Sequence, residues 1–137
     1  MNKRRTIRVR DVMKSDFIMM EGINTVKEGI NALLREDAHT LLIKKRNEDD
    51  EFGIIVLEDI AKKILAVDKA PDRVNLYEIM SKPALGVSPD LDIRYCARLF
   101  YRFGLSTAPV IENNEVLGVI TYNEIVLHGL LENDAGL

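Results

Sequence analysis

The stretches "GIIVLEDI" (Gly53 to Ile60) and "GVITYNEI" (Gly118 to Ile125) are nearly the same phrase, written 65 positions apart. Each has a glycine, two apolar residues, a variable fourth position, an acid three residues later and a closing isoleucine. The fourth position is Val56 in the first copy and Thr121 in the second, and the acids are Asp59 and Glu124. An apolar extended run that passes into a polar corner and then an acid reads as a strand ending where a helix starts.

Working outward, the likeness extends over most of the chain. "VRDVM" (Val9 to Met13) matches "LYEIM" (Leu76 to Met80), and Met13 and Met80 are 67 positions apart. The same offset carries Met20 onto Val87, Val26 onto Ile93, Ile30 onto Ala97, Leu33 onto Phe100, Thr40 onto Thr107 and Ile43 onto Val110. Two extra residues in the first copy's turn ("KRNEDDE", against "ENNE") then bring the glycines to 65, an insertion of the kind loops accept at small entropic cost. The chain is an internal duplication.

Each copy reads in one order. A short helical turn precedes a brief extended piece ("FIMM", "ALGV"), and an amphipathic helix follows. In the first helix Val26, Ile30, Leu33 and Leu34 predict one apolar face, with Thr25 and Glu28 as a capping box. In the second, Ile93, Ala97 and Phe100 form the face and Asp92 is the N-cap. Two strands follow ("TLLIK" and "GIIVL"; "APVIE" and "VLGVITY"), then a closing helix ("EDIAKKILA"; "NEIVLHGLL"). The pattern predicts an α+β fold of two β-α-β-β-α repeats. A copy of about 60 residues buries too little surface alone, so the two are expected to pack through their sheets as one pseudo-two-fold module. The expected boundaries are a basic tail at 1–8, repeats at 9–66 and 76–131, a linker at 67–75 containing Pro71, and a tail at 132–137.

Composition narrows the function. The 137 residues are 47% hydrophobic and 30% charged, an ordinary globular balance. No apolar run approaches the ~18–20 residues that span a bilayer, and "MNKRRTIRVR" has no apolar segment behind it to make a secretory signal. Cys96 is the single cysteine, which excludes an internal disulfide and fits a reducing, cytoplasmic setting. A net charge of -3 argues against nucleic acid as the main partner.

The "V-x-D-V-M" opening, the helix, "x-P-V" and then "G-h-h-T-x-x-D/E-I" resemble the cystathionine-β-synthase (CBS) domain, here as a tandem pair from Val9 to about Leu131. The resemblance implies a stand-alone regulatory module that forms a homodimer and signals to a partner protein. It also implies an adenosine-containing ligand, AMP, ADP, ATP or S-adenosylmethionine, in the cleft between the repeats, with no cofactor required. In the second copy, the Thr121 hydroxyl can donate to a phosphate and Glu124 offers two oxygens to a ribose. By resemblance the backbone of Ser106, Thr107, Ala108 and Pro109 would meet the edge of the base, with Val87 against its face. In the first copy Asp59 matches the sugar-binding acid, but Val56 has no donor and Leu42 stands where the family has proline. His39, Lys62 and Lys63 are further candidates to touch a phosphate.

Catalysis finds no support. His39 and His128 lie in opposite halves, and neither a metal-ligand spacing nor a G-x-S-x-G or Walker-type glycine loop is present. Cys96 reads as packing on its helix. Two other readings remain open: a structural dimerisation module with decayed pockets, and a nucleic-acid binder using Lys3, Arg4, Arg5, Arg8 and Arg10. The basic segment lacks interleaved aromatics and reads more simply as a tail.

Overall fold

The computed structural model describes residues 6–130. In chain order the elements are α1 (Val9–Val12), β1 (Ile18–Met20), α2 (Val26–Glu36), β2 (Thr40–Ile43), β3 (Gly53–Val56) and α3 (Leu57–Ile60), which continues as π-helical Ala61–Leu65. A 3-10 turn (Leu76–Glu78), α4 (Ile93–Phe103), β4 (Thr107–Glu112), β5 (Glu115–Thr121) and the π-helical α5 (Glu124–Leu130) follow. The fold is α+β, and each half carries the β-α-β-β-α order.

The chain packs into two compact units, and they do not follow the boundaries expected from the repeat. An inner unit takes Asp16–Leu85, and a split unit takes the residues up to Ser15 together with those from Gly86. Each copy's opening turn therefore belongs to the other copy's unit. Val9 N–H donates to Leu91 C=O at 2.8 Å, and Lys14 exchanges both backbone bonds with Val119. In the inner unit Leu76 N–H donates to Asn24 C=O at 2.8 Å and Tyr77 N–H to Gly22 C=O at 3.0 Å. The supposed linker 67–75 is part of the inner unit as well: Val74 is buried in its core, and its carbonyl accepts from Val26 N–H. The basic tail is shorter than 1–8, because Ile7 is 1% exposed and its carbonyl accepts from Ile93 N–H. Residues 1–5 and 131–137, including the expected C-terminal tail, lie outside the described residues.

In the inner unit β1 runs parallel to β2, and β2 antiparallel to β3, with Thr40 opposite Val56 and Ile43 opposite Gly53. Thr25 and Glu28 form the expected reciprocal cap of α2, and the Thr25 amide holds the Glu28 carboxyl below its ordinary range. The buried face of α2 is Val26, Gly29, Ala32 and Leu33, so Leu34, expected inside, is exposed. Gly29 sets this rotation: a Cβ there would lie 2.9 Å from the tip of Leu41 and 3.1 Å from Leu76. The helix lies close on those two leucines.

In the split unit β4 and β5 form an antiparallel hairpin. Its turn residues Asn113 and Asn114 both have positive φ, 53° and 63°, the geometry a two-residue hairpin loop requires. The counterpart of β1 is reduced to a single parallel bridge between Val87 and Val110. Asp92 caps α4 by accepting from Arg94 N–H at 2.8 Å, and Gly104 ends it at φ 64°. Phe100, Cys96, Ile93, Val9 and Ile7 lie together in the core behind the hairpin.

Candidate ligand site

The corner between β5 and α5 is built by the register of the hairpin. Thr121 ends β5 directly opposite Thr107, the first residue of β4, so the two hydroxyl-bearing residues share one end of the ladder. Thr107 and Thr121 are half-buried and Ser106 is exposed. Glu124 is 1% exposed. Its Oε1 accepts from Thr121 N–H at 2.7 Å and from the Thr121 hydroxyl at 2.9 Å, while Oε2 lies 3.3 Å from Lys14 Nζ. Thr121 Oγ1 also accepts from Asn123 N–H at 3.2 Å.

This geometry changes the part expected of Glu124. A buried carboxylate must be matched by hydrogen bonds or charge, and Glu124 finds all of these within its own corner. It is a reciprocal helix cap turned inward. Val87 differs from expectation too. It is 7% exposed, its side chain lies in the core, and its backbone is tied to Pro109 C=O and Ile111 N–H at 3.0 Å each. Ala108 and Pro109 are buried ladder residues opposite Ile120 and Val119, which leaves Ser106 and Thr107 as the accessible part of that strand entrance.

The inner unit repeats the cap in a simpler form. Asp59 Oδ2 accepts from Val56 N–H at 2.9 Å, the bond that Glu124 makes to Thr121. Val56 adds no hydroxyl, so the Asp59 side chain stays 22% exposed, with Lys63 Nζ 3.9 Å away. His39, one residue before Thr40 on β2, is held by Asp16 through its backbone N–H and Nδ1, both at 2.9 Å. Lys63 donates to Ile79 C=O at 2.9 Å and Lys62 pairs with Glu58, so both lysines are engaged inside the unit.

Lys14 is a residue the sequence pattern did not single out. It belongs to the first copy's opening segment, and only the exchange of opening turns brings it beside Glu124. Its side chain is 53% exposed, so the ammonium can serve the corner and solvent together.

Of the basic residues considered for nucleic acid, Arg10 pairs with Asp90 at 2.8 Å and Arg8 donates to Asp90 C=O. These bonds tie α1 to the rest of the split unit. Lys3, Arg4 and Arg5 lie outside the described residues. Among the described residues no cluster of three or more His, Cys, Asp or Glu is placed to hold a metal ion. No helix among them is long and apolar enough to cross a membrane. Cys96 is buried, and desolvation pushes its thiol up to about 11.

The family description "CBS domain" matches residues 76–130. A hexameric CBS-CP12 protein from bloom-forming cyanobacteria is 31% identical, with a TM-score of 0.84 over 88% of this chain and 69% of that one. The CBS domain pair of protein MJ0100, solved in complex with 5′-methylthioadenosine and S-adenosyl-L-methionine, shares the fold with a TM-score of 0.77. That likeness covers 93% of this chain and 99% of that one at 23% identity. Protein MK0525 of Methanopyrus kandleri is 27% identical over 89% of this chain. The chain spans 62% of the length of MK0525, and 23% of that of a similar homoserine O-acetyltransferase from Methanosalsum zhilinae.

Proposed function

Since the chain belongs to the CBS-domain family, as a tandem pair, we propose that it is a regulatory module that binds an adenosine-containing ligand and passes that state to a partner protein. The candidates are AMP, ADP, ATP and S-adenosylmethionine. The observation that carries this reading is the Thr121 corner, where the Thr121 hydroxyl and the Lys14 ammonium stand together at the accessible end of the β4–β5 hairpin. A phosphate needs a donor and a cation. The hydroxyl has one proton, now given to Glu124; turned to a phosphate oxygen, it leaves Glu124 still held by Thr121 N–H. Lys14 favours the phosphorylated candidates over S-adenosylmethionine, whose sulfonium is cationic. Glu124 keeps its capping part, so the sugar is expected to be held more weakly than the phosphate.

A thermal-shift series with the four ligands tests this. A ligand at about 100 times its dissociation constant adds about 2.7 kcal/mol of stability. A melting temperature unmoved by all four supports a second reading, a structural dimerisation module with decayed pockets. The burial of Glu124 and the missing donor at Val56 favour that alternative.

We also propose a homodimer that uses the outer face of α5. Ile125 and Gly129 of this helix turn inward, and a Cβ at Gly129 would overlap Ile93. Val126, Leu127 and Leu130 are the exposed apolar residues, at 46%, 62% and 60%. Two-fold pairing is the commonest way to cover such a row. Light scattering that returns 15.5 kDa at all concentrations contradicts the dimer.

A further inference from the structure

The inner unit carries a second concave site, at the other end of its sheet from the Asp59 corner. Asp59 and His39 lie where β2 begins, at the Thr40–Val56 pair; this cavity opens where β1 and β2 end, after Met20 and Ile43. It measures about 600 Å³, within the ~300–1,000 Å³ of small-molecule sites. Lys44, Arg46 and Lys82 line it, with Glu21 the acid among the lining residues. Lys45 also lines it, with its ammonium engaged over the Phe52 ring.

Asp50 fixes Arg46 and Lys82 in place. Its side chain is 7% exposed; it accepts from Arg46 N–H at 2.8 Å and from Arg46 Nε at 3.1 Å, and pairs with Lys82 at 2.5 Å. Arg46 thus spends Nε on Asp50 and keeps its two terminal nitrogens uncommitted among the described residues, on a side chain 80% exposed. Against Glu21 and Asp50 the cations Lys44, Arg46 and Lys82 leave one positive charge in surplus, in a chain whose net charge is -3. The apolar part of the lining is open: Ile23 is 73% exposed and Tyr77 is 55% exposed. Tyr77 is anchored by its N–H bond to Gly22, where an added Cβ would come within 3.1 Å of the tyrosine.

The geometry points to a binding site for an organic phosphate monoester with a flat apolar body. The phosphate, carrying close to two negative charges near pH 7, sits on Lys44 and the free fork of Arg46. The body lies against Tyr77 and Ile23. The site is separate from the Thr121 corner and does not depend on what binds there.

Amide NMR titrations of the full chain with phenyl phosphate and with inorganic phosphate test the assignment. The expected result is saturable shifts at Gly22, Ile23, Lys44, Arg46 and Tyr77, with phenyl phosphate the tighter of the two. Lys44→Glu alters an exposed side chain and should weaken phenyl phosphate about tenfold, the worth of one charge-assisted bond. Tyr77→Ala should remove the advantage of phenyl phosphate over inorganic phosphate. Thr121→Val should change neither, so failure of this site and failure of the corner read out separately. Shifts that do not saturate, that centre elsewhere, or that survive Lys44→Glu unchanged overturn the proposal.

Discussion

Replacing Glu124 by glutamine keeps the shape of the side chain and removes its charge. Oε1 accepts two bonds from Thr121, at 2.7 and 2.9 Å, on a residue that is 1% exposed. Bonds to a charged group contribute about 1.5–3 kcal/mol and neutral ones about 0.5–1.5, so each loses about 1 kcal/mol. The pairing with Lys14 adds little, because that ammonium is half exposed and its field is screened. The expected loss is about 2 kcal/mol, or a fall in melting temperature of about 6–8 °C for a chain of this size. Urea unfolding should show a lower midpoint with an unchanged slope. Glu58→Gln is the control: that acid also lies in the first turn of a helix, but it is exposed and, among the described residues, its side chain pairs with Lys62. Its midpoint should stay at that of the parent. Thr121→Val keeps the amide bond and the Lys14 contact and should fall between the two. A Glu124→Gln midpoint no lower than that of Glu58→Gln refutes the capping part assigned to this carboxylate.

Ile7→Ala should destabilise the protein by about 2–5 kcal/mol, the range for truncating a buried aliphatic side chain; a neutral result in urea unfolding contradicts the docking of the N-terminal segment on the split unit. Cys96, buried and with its thiol raised to about 11, should resist Ellman's reagent at pH 8 until the chain unfolds; fast labelling of native protein contradicts this. Asp50, Glu28 and Asp92 are all held below their ordinary pKa by hydrogen bonds, Asp50 mainly by Lys82 and then by the Arg46 amide. With the folded pKa below the unfolded one, their stabilisation is full above about pH 4–5 and is lost as pH falls through the folded values. Asp50→Asn should flatten part of that acid-side loss in a pH series of urea midpoints, and an unchanged slope would count against its pairing.

The parts of the fold legible in the sequence were those set by neighbours in the chain. Thr25 with Glu28, Asp92 before α4, and the Asn113–Asn114 turn each act within a few residues, and each forms as its pattern predicts. The exchange of opening turns was not legible. "VRDVM" and "LYEIM" have the same apolar pattern, so either can fill either unit, and nothing within a copy records which one does. Lys14 was missed for the same reason. Leu34 failed because helical periodicity leaves the choice of face open by about one residue, and here the small surface of Gly29 settles it. In the site, residue types gave the corner, but the direction of a side chain depends on what is already satisfied. Glu124 has the extra methylene that lets its carboxylate fold back onto both the amide and the hydroxyl of Thr121, whereas Asp59 reaches the amide of Val56 alone.

In the proposed reading, the Thr121 corner holds the phosphate of an adenosine-containing ligand. Calorimetric titration of the parent and of Thr121→Val with AMP, ADP, ATP and S-adenosylmethionine, at a temperature where both are folded, measures this directly. A phosphorylated ligand should saturate the parent, and its affinity should fall about 10- to 150-fold in Thr121→Val, the worth of one hydrogen bond to a charged group. Asp59→Asn should weaken it much less. Heats absent for all four ligands, or an affinity that Thr121→Val leaves unchanged while Asp59→Asn abolishes it, would rule out the Thr121 corner as the phosphate site.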